Sequence, residues 1–168
     1  MKDEAKSHLT KIIGDYEAKL TETERVATAN RAADASFPDR FLTFRTEVIR
    51  PALEEIVSML NAAGHDATVR EQEESSSTVG GVKAAAVSLR VVPKPFAHKP
   101  TETGSVSIEV MFSANRAERK VIVSSTNTMV SHGGSVGKRG AYELEAMTAD
   151  VVATHVIQTL GDAFVGPR

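Results

Sequence analysis

The sequence predicts an α+β fold with two N-terminal helices, a four- to five-stranded antiparallel sheet and a C-terminal helix, the helices packing on one sheet face. Apolar residues recur every three or four positions up to Gly64 and again after Thr148, as along one side of an α-helix. Between Asp66 and Met147 they recur every second position, as in strands with one buried face. Short connections between these strands favour antiparallel pairing.

The first predicted helix covers residues 3–35 and carries a heptad-like row of side chains. Successive members of this row lie four or three positions apart, so they share one side of the helix. The row, called the seam below, consists of Leu9, Ile13, Tyr16, Leu20, Thr23 and Ala27. About two apolar heptads are too few for a stable coiled coil alone, so we expect the seam to pack on the domain or on a second copy. We therefore divide the chain into a packing or dimerisation arm, residues 1–35, and a single α+β domain, residues 36–168.

A second helix is predicted over residues 39–63, because Ser36, Pro38 and Asp39 together form a signal for a helix end and a new start. Its wide apolar stripe is the strongest amphipathic pattern in the chain. Pro51 lies within it and predicts a kink near residues 47–50. Gly64 is expected to end the helix in the left-handed conformation.

Alternating patterns predict the strands, and a returning helical period predicts the last helix over residues 148–164. The serine- and glycine-rich stretch 75–81 and the longer stretch 127–140 are predicted to be loops. Residues 115–118 are predicted to form a hairpin turn. The five strand candidates are Ala67–Glu74, Val82–Pro93, Ser105–Phe112, Lys120–Thr126 and Ala141–Met147.

Composition excludes several classes of protein and site. The chain has no Cys, which excludes disulfides, thiol catalysis and thiolate metal sites. Its N-terminus is polar and no apolar segment follows, so we expect no signal peptide. Its apolar stretches are far shorter than the roughly 20 residues of a membrane span, so we expect no membrane association and a cytoplasmic location.

Charge is distributed unevenly along the chain. The net charge is −2, yet residues 82–140 hold 9 Lys or Arg against 3 Asp or Glu. The favoured interpretation is that acidic helices lie near basic strands; the alternative is an anionic partner on the sheet. Nucleic acid is not favoured as that partner, because the predicted sheet lacks the exposed aromatic residues on which bases stack.

The loop 127–140 is the strongest candidate for a binding site, because long loops in compact domains are often functional. Its Gly-Lys pair does not form a phosphate-binding loop, since His132 and Arg139 stand where that motif needs Gly and Ser or Thr. A looser anion site is the alternative to a solvated hairpin loop. The expected members of this anion site are Lys94, His98, His132, Lys138 and Arg139. The histidines show no ligand-like spacing, so no metal and no cofactor is predicted.

No catalytic motif rises above chance, so an enzyme is not favoured. The first functional hypothesis is a non-enzymatic protein-interaction or adaptor module, with a protein partner or a second copy (a homodimer) bound through the first helix. The alternative is a small-ligand or anion-binding domain, weakly enzymatic at most. Its site would lie at the mouth of the sheet beside the 127–140 loop.

Overall fold

The chain divides into two compact units, Met1–Phe37 and Pro38–Arg168, called the N-terminal and C-terminal units below. A computed structural model describes residues 3–77, 81–97, 106–128 and 135–165 of the 168. The class is α+β, with a long N-terminal helix, a five-stranded antiparallel sheet and a C-terminal helix.

The two predicted N-terminal helices are joined, which corrects the predicted break at residues 36–38. Helix α1 runs over Asp3–Phe44 with Pro38 inside it, a π-helical turn covers Arg45–Ile49, and α2 covers Arg50–Ala62. The Ser36 hydroxyl donates to the Ala33 carbonyl, 3.1 Å away, instead of capping a new helix. Neighbouring alanines favour helix strongly enough to continue through the proline.

The π-helical turn lies where the sequence predicts a kink. The Arg50 N–H donates to the Arg45 carbonyl, five residues back, instead of to the fourth. Pro51 follows directly; its nitrogen has no hydrogen and its ring crowds the carbonyl four residues earlier. Helix α2 then ends before Gly64, whose φ of 88° confirms the predicted left-handed terminator.

The strands are β1 Asp66–Gln72, β2 Ser75–Ser77, β3 Gly81–Lys83, β4 Ala86–Val92, β5 Ile108–Asn115, β6 Lys120–Asn127 and β7 Ser135–Tyr142. The main sheet is antiparallel, in the order β1-β4-β5-β6-β7. A separate two-stranded sheet pairs β2 with β3 at the two ends of the predicted loop 75–81, and residues 116–119 form the predicted turn between β5 and β6.

The predicted last strand, Ala141–Met147, is wrong in position. Strand β7 begins at Ser135 inside the predicted loop, and Leu144–Ala146 form a 3-10 turn. An edge strand needs little apolar alternation, so the polar, glycine-containing β7 resembles a loop in sequence. Leu144 lies in this turn and is buried. Its apolar side chain contributed to the alternating sequence pattern that predicted a strand. Helix α3 covers Ala149–Val165, close to its predicted bounds.

Both α2 and α3 contact one face of the sheet, where β4, β5 and β6 place alternate Val, Ile, Leu and Phe side chains. Among the described residues no helix packs on the opposite face, called the open face below. Its residues are Thr68, Arg70, Gln72, Ala86, Ser88, Arg90, Glu109, Met111, Ser113, Ile122, Ser124, Thr126, Val136, Lys138 and Ala141.

Arg45 connects the π-helical turn to the edge strand β1. Its side chain is 8% exposed, and its Nη2 lies 2.7 Å from Glu73 Oε1 and 3.7 Å from Glu71 Oε2. Its Nη1 donates to the Gln72 carbonyl at 3.4 Å. Because the guanidinium is buried while Glu73 is mostly exposed, truncating Arg45 removes buried contacts as well as charge.

We expect Arg45→Ala to lower the free energy of unfolding by about 2–3 kcal/mol, measured by urea denaturation. Arg50→Ala is the matched control. Arg50 also pairs with Glu71, at 3.2 Å, but its side chain is 48% exposed, so its loss should lower the free energy of unfolding much less than the loss of Arg45. Equal losses in the two variants would contradict a special role for Arg45.

Candidate functional site

The seam lies exposed along the N-terminal unit. Tyr16 is 62% exposed, and Leu9, Ile13 and Leu20 are between 44% and 48% exposed. Ile12, directly beside the seam, is 52% exposed. Large apolar side chains at helical spacing are normally buried against another element, so this surface is the strongest candidate for an interface in the described part of the chain.

The polar member of the seam carries no unsatisfied hydroxyl. Thr23 Oγ1 donates to the Lys19 carbonyl, 2.8 Å away along the same helix. Thr23 can therefore lie in an apolar interface without losing a hydrogen bond to water. On the C-terminal side of Thr23 the seam continues with the half-buried Ala27, a small residue that allows a second helix to approach closely.

The described members of the predicted anion site are spread over different surroundings. Lys94 lies in the turn after β4; its backbone N–H donates to His65 Nδ1 at 3.1 Å, and its side chain lies against Gly64. His65 also stacks on Phe164, with ring centroids 5.3 Å apart. His98 and His132 lie outside the described residues, so the complete site stays a prediction.

Lys138 and Arg139 are neighbours in β7 but serve opposite faces of the sheet. Arg139 Nε donates to Ser125 Oγ and its Nη1 to Asp162 Oδ2 on α3, each at 2.8 Å, on the helix-covered face. Lys138 is exposed and pairs in register with Ser124 on the open face. A register irregularity between Val123 and Ser124 accompanies this arrangement. The two side chains therefore lie on opposite faces of the sheet, and the anion site that combines them stays a prediction.

A Tyr–His pair joins β7 to α3 and was not predicted from the sequence. The Tyr142 hydroxyl and His155 Nε2 share a hydrogen bond of 2.7 Å. Gly140 makes room for the tyrosine, because a Cβ at that position would lie 2.6 Å from Tyr142 Cε2. The glycine two residues before Tyr142 in a strand was the available signal.

The environment of His155 favours the neutral imidazole. The residue is 6% exposed, and its Nδ1 has no hydrogen-bond partner among the described residues. Burial lowers the pKa of His155 below its ordinary value, and the charge of nearby Arg139 lowers this pKa further. The pair therefore acts as a neutral hydrogen-bonded contact at pH 7 and not as an ion pair.

The open face holds a cavity of about 330 Å³, within the size range of small-ligand pockets. Ser88, which is 4% exposed, donates to Glu109 Oε1 at 2.7 Å. A second cavity of about 310 Å³ is lined by residues that include Val82 of β3 and Ser113 and Ile122 of the open face. The first is lined by Arg70, Glu71, Gln72, Ala86, Ser88, Glu109 and Met111.

Residues 3–77, 81–97, 106–128 and 135–165 contain neither a metal-binding cluster nor a membrane-spanning helix. Within these ranges no group of three or more His, Asp or Glu side chains is placed to hold a metal ion. No helix in the same ranges has the length and apolarity needed to cross a bilayer.

Comparison with known proteins gives no functional information: no family model, no curated protein and no solved structure matches this chain. The function must therefore be inferred from the exposed seam, the open face and the Tyr142–His155 pair.

His155 predicts a loss of stability at acid pH. The unfolded chain takes up a proton near the ordinary histidine pKa of about 6.5, whereas the folded chain resists protonation until a lower pH. This contribution is fully present above that ordinary pKa and is lost as pH falls toward the lowered folded value. Urea denaturation at about pH 7.5 and about pH 5 should show a smaller pH-dependent loss in His155→Gln than in the wild type.

The exposed His8 supplies a control on α1. His8→Gln should keep the wild-type difference between the two pH values. An unchanged pH dependence in His155→Gln would contradict the assignment.

Proposed function

We propose that this protein is a non-enzymatic interaction module that self-associates through the seam of its N-terminal unit. The supporting observation is the exposure of Leu9, Ile13, Tyr16 and Leu20 on one side of a helix. In a lone chain these side chains would stay in water, and a second copy with the same row offers a complementary surface.

The energetic argument follows from buried area. Burying one large apolar side chain contributes about 1.5–3 kcal/mol. In a symmetric pair of helices each seam residue would be buried once in each of the two copies. Against this, the seam weakens after Leu20, where Thr23 and Ala27 contribute little apolar area. We therefore expect a reversible assembly whose population depends on protein concentration.

Self-association should be abolished by a charge inside the seam. Light scattering on the wild-type protein should give a mass above that of one chain, rising with concentration. Ile13→Glu should give the mass of one chain, because it would bury unpaired carboxylates between the helices. Ala18→Glu adds the same charge on the opposite side of the helix, at an equally exposed position, and should leave the mass unchanged.

Two results would overturn this proposal. One is a wild-type protein that stays a single chain at every concentration. The other is equal behaviour of Ile13→Glu and Ala18→Glu, which would place the contact outside the seam. Near-identical thermal unfolding of the C-terminal unit in both variants would confirm that neither substitution acts by unfolding the protein.

As a second candidate function, we propose that the open face binds a small anionic ligand. Arg70 and Lys138 stand at the two ends of one row across the sheet, with Ser88, Met111 and Ser124 between them. Five strands span about 19 Å at ordinary strand spacing, so a small anion would bind at one end of the row, between one of the two cations and the hydroxyls nearest to it. Among the described residues neither cation has a salt-bridge partner.

A thermal-shift titration with inorganic phosphate and small dicarboxylates tests the open face. We expect stabilisation of the wild type that is lost in the double variant Arg70→Gln/Lys138→Gln and kept in Lys94→Gln. No stabilisation, or stabilisation that survives in the double variant, would overturn this second proposal. Loss in Lys94→Gln alone would also overturn it and would favour the site predicted from the sequence.

A further inference from the structure

We infer that two copies of the seam pair in parallel and in register, with Lys19 of each copy beside Glu24 of the other. This inference rests on the proposed self-association and adds the orientation of the two helices. It is carried by the charges that flank the seam, which restrict how two identical helices can lie together.

The seam assigns a heptad position to every residue around it. Ile13, Leu20 and Ala27 occupy position a, and Leu9, Tyr16 and Thr23 occupy position d. The flanking g positions are then Ile12, Lys19 and Val26, and the flanking e positions are Glu17, Glu24 and Arg31. Positions e and g border the interface, so their charges determine orientation.

A parallel, in-register pair places each g residue beside the e residue five positions later in the other chain. Lys19 then meets Glu24 of the second copy, and symmetry produces this contact twice. Ile12 meets Glu17 and Val26 meets Arg31, so the methylene stems of the charged side chains cover apolar neighbours. This arrangement brings no two like charges together.

An antiparallel pair places e beside e and g beside g. The overlap that preserves most of the seam then sets Glu17 against Glu17 and Lys19 against Lys19, both unfavourable contacts. The same residues thus attract in one orientation and repel in the other.

Lys19 and Glu24 are also available for such a contact. In the described part of the chain neither has a salt-bridge partner, and both are exposed. Glu22 and Arg25, on the outer side of the same helix, pair with each other at 2.7 Å. The helix therefore pairs these two outer charges internally and leaves Lys19 and Glu24 unpaired beside the seam.

Cysteine cross-linking tests the orientation directly, because the chain contains no native Cys. Leu9→Cys and Ala27→Cys are separated by about 27 Å along the helix, far beyond the reach of a disulfide. A parallel, in-register pair should form a covalent dimer in each single variant under mild oxidation. An antiparallel pair would cross-link when the two variants are mixed and not in either variant alone.

Failure of the self-association and failure of the parallel orientation would give different results. A wild-type protein that stays a single chain in light scattering removes the self-association itself. A protein that self-associates but cross-links only in the mixture of variants removes the parallel orientation and leaves the proposed function standing. Cross-linking of Leu9→Cys alone, without Ala27→Cys alone, would contradict an in-register pair.

Charge reversal gives an independent readout. Lys19→Glu should weaken self-association about tenfold, since two attractive contacts become repulsive. Lys19→Glu/Glu24→Lys should restore the wild-type dissociation constant to within about twofold. Glu22→Lys, outside the interface, should leave it unchanged. No rescue in the double variant would overturn the Lys19–Glu24 contact.

Discussion

The strict alternation of side chains in β4, β5 and β6 is the constraint on which the rest of the structure depends. It directs most of their Val, Ile, Leu and Phe side chains to one face, where α2 and α3 cover them, and most of their Ser, Thr and charged side chains to the other; Ile122 and Ser125 are exceptions. Because a shift by one residue would exchange the two faces, the register of the whole meander follows from this pattern. The open face is its direct product, since its polar side chains give a helix little to bury.

The C-terminal unit buries most of its large apolar side chains within itself, whereas the N-terminal unit leaves the seam exposed. The core of the sheet is closed by α2, α3 and the π-helical turn, and Arg45 ties that turn to β1. The seam has no comparable cover among the described residues. This difference supports a division of roles in which the C-terminal unit supplies a stable scaffold and the N-terminal unit supplies the contact surface.

Sequence reasoning predicted the α+β class, the strands β1, β4, β5 and β6, and the last helix, because these elements carry a clear apolar period. It missed two features that the apolar period does not reveal. Helix α1 continues through Pro38, although Ser36, Pro38 and Asp39 predict a helix end there. The helix propensity of neighbouring residues and tertiary burial outweigh the one hydrogen bond that the proline removes. Strand β7 was hidden because an edge strand with Gly137 and Lys138 needs no buried face of its own.

The candidate sites were less predictable than the fold, because they depend on residues distant in sequence. Tyr142 meets His155 across β7 and α3, and Ser88 meets Glu109 across two strands. Neither pair has a spacing rule that a single sequence could reveal. The seam is different: its members lie on one helix, so the local period alone was enough to find it.

The polar character of the sheet's two borders limits how copies of this protein can add to one another. The edge strand β1 carries the charged Arg70 and Glu71, whose side chains lie on opposite faces of the sheet, and β7 carries the exposed Lys138 next to a register irregularity. Charges and bulges of this kind discourage backbone pairing between sheets, which would otherwise extend without limit into fibres. The proposed pairing of two seams is symmetric and closes on itself, so it would not extend in this way.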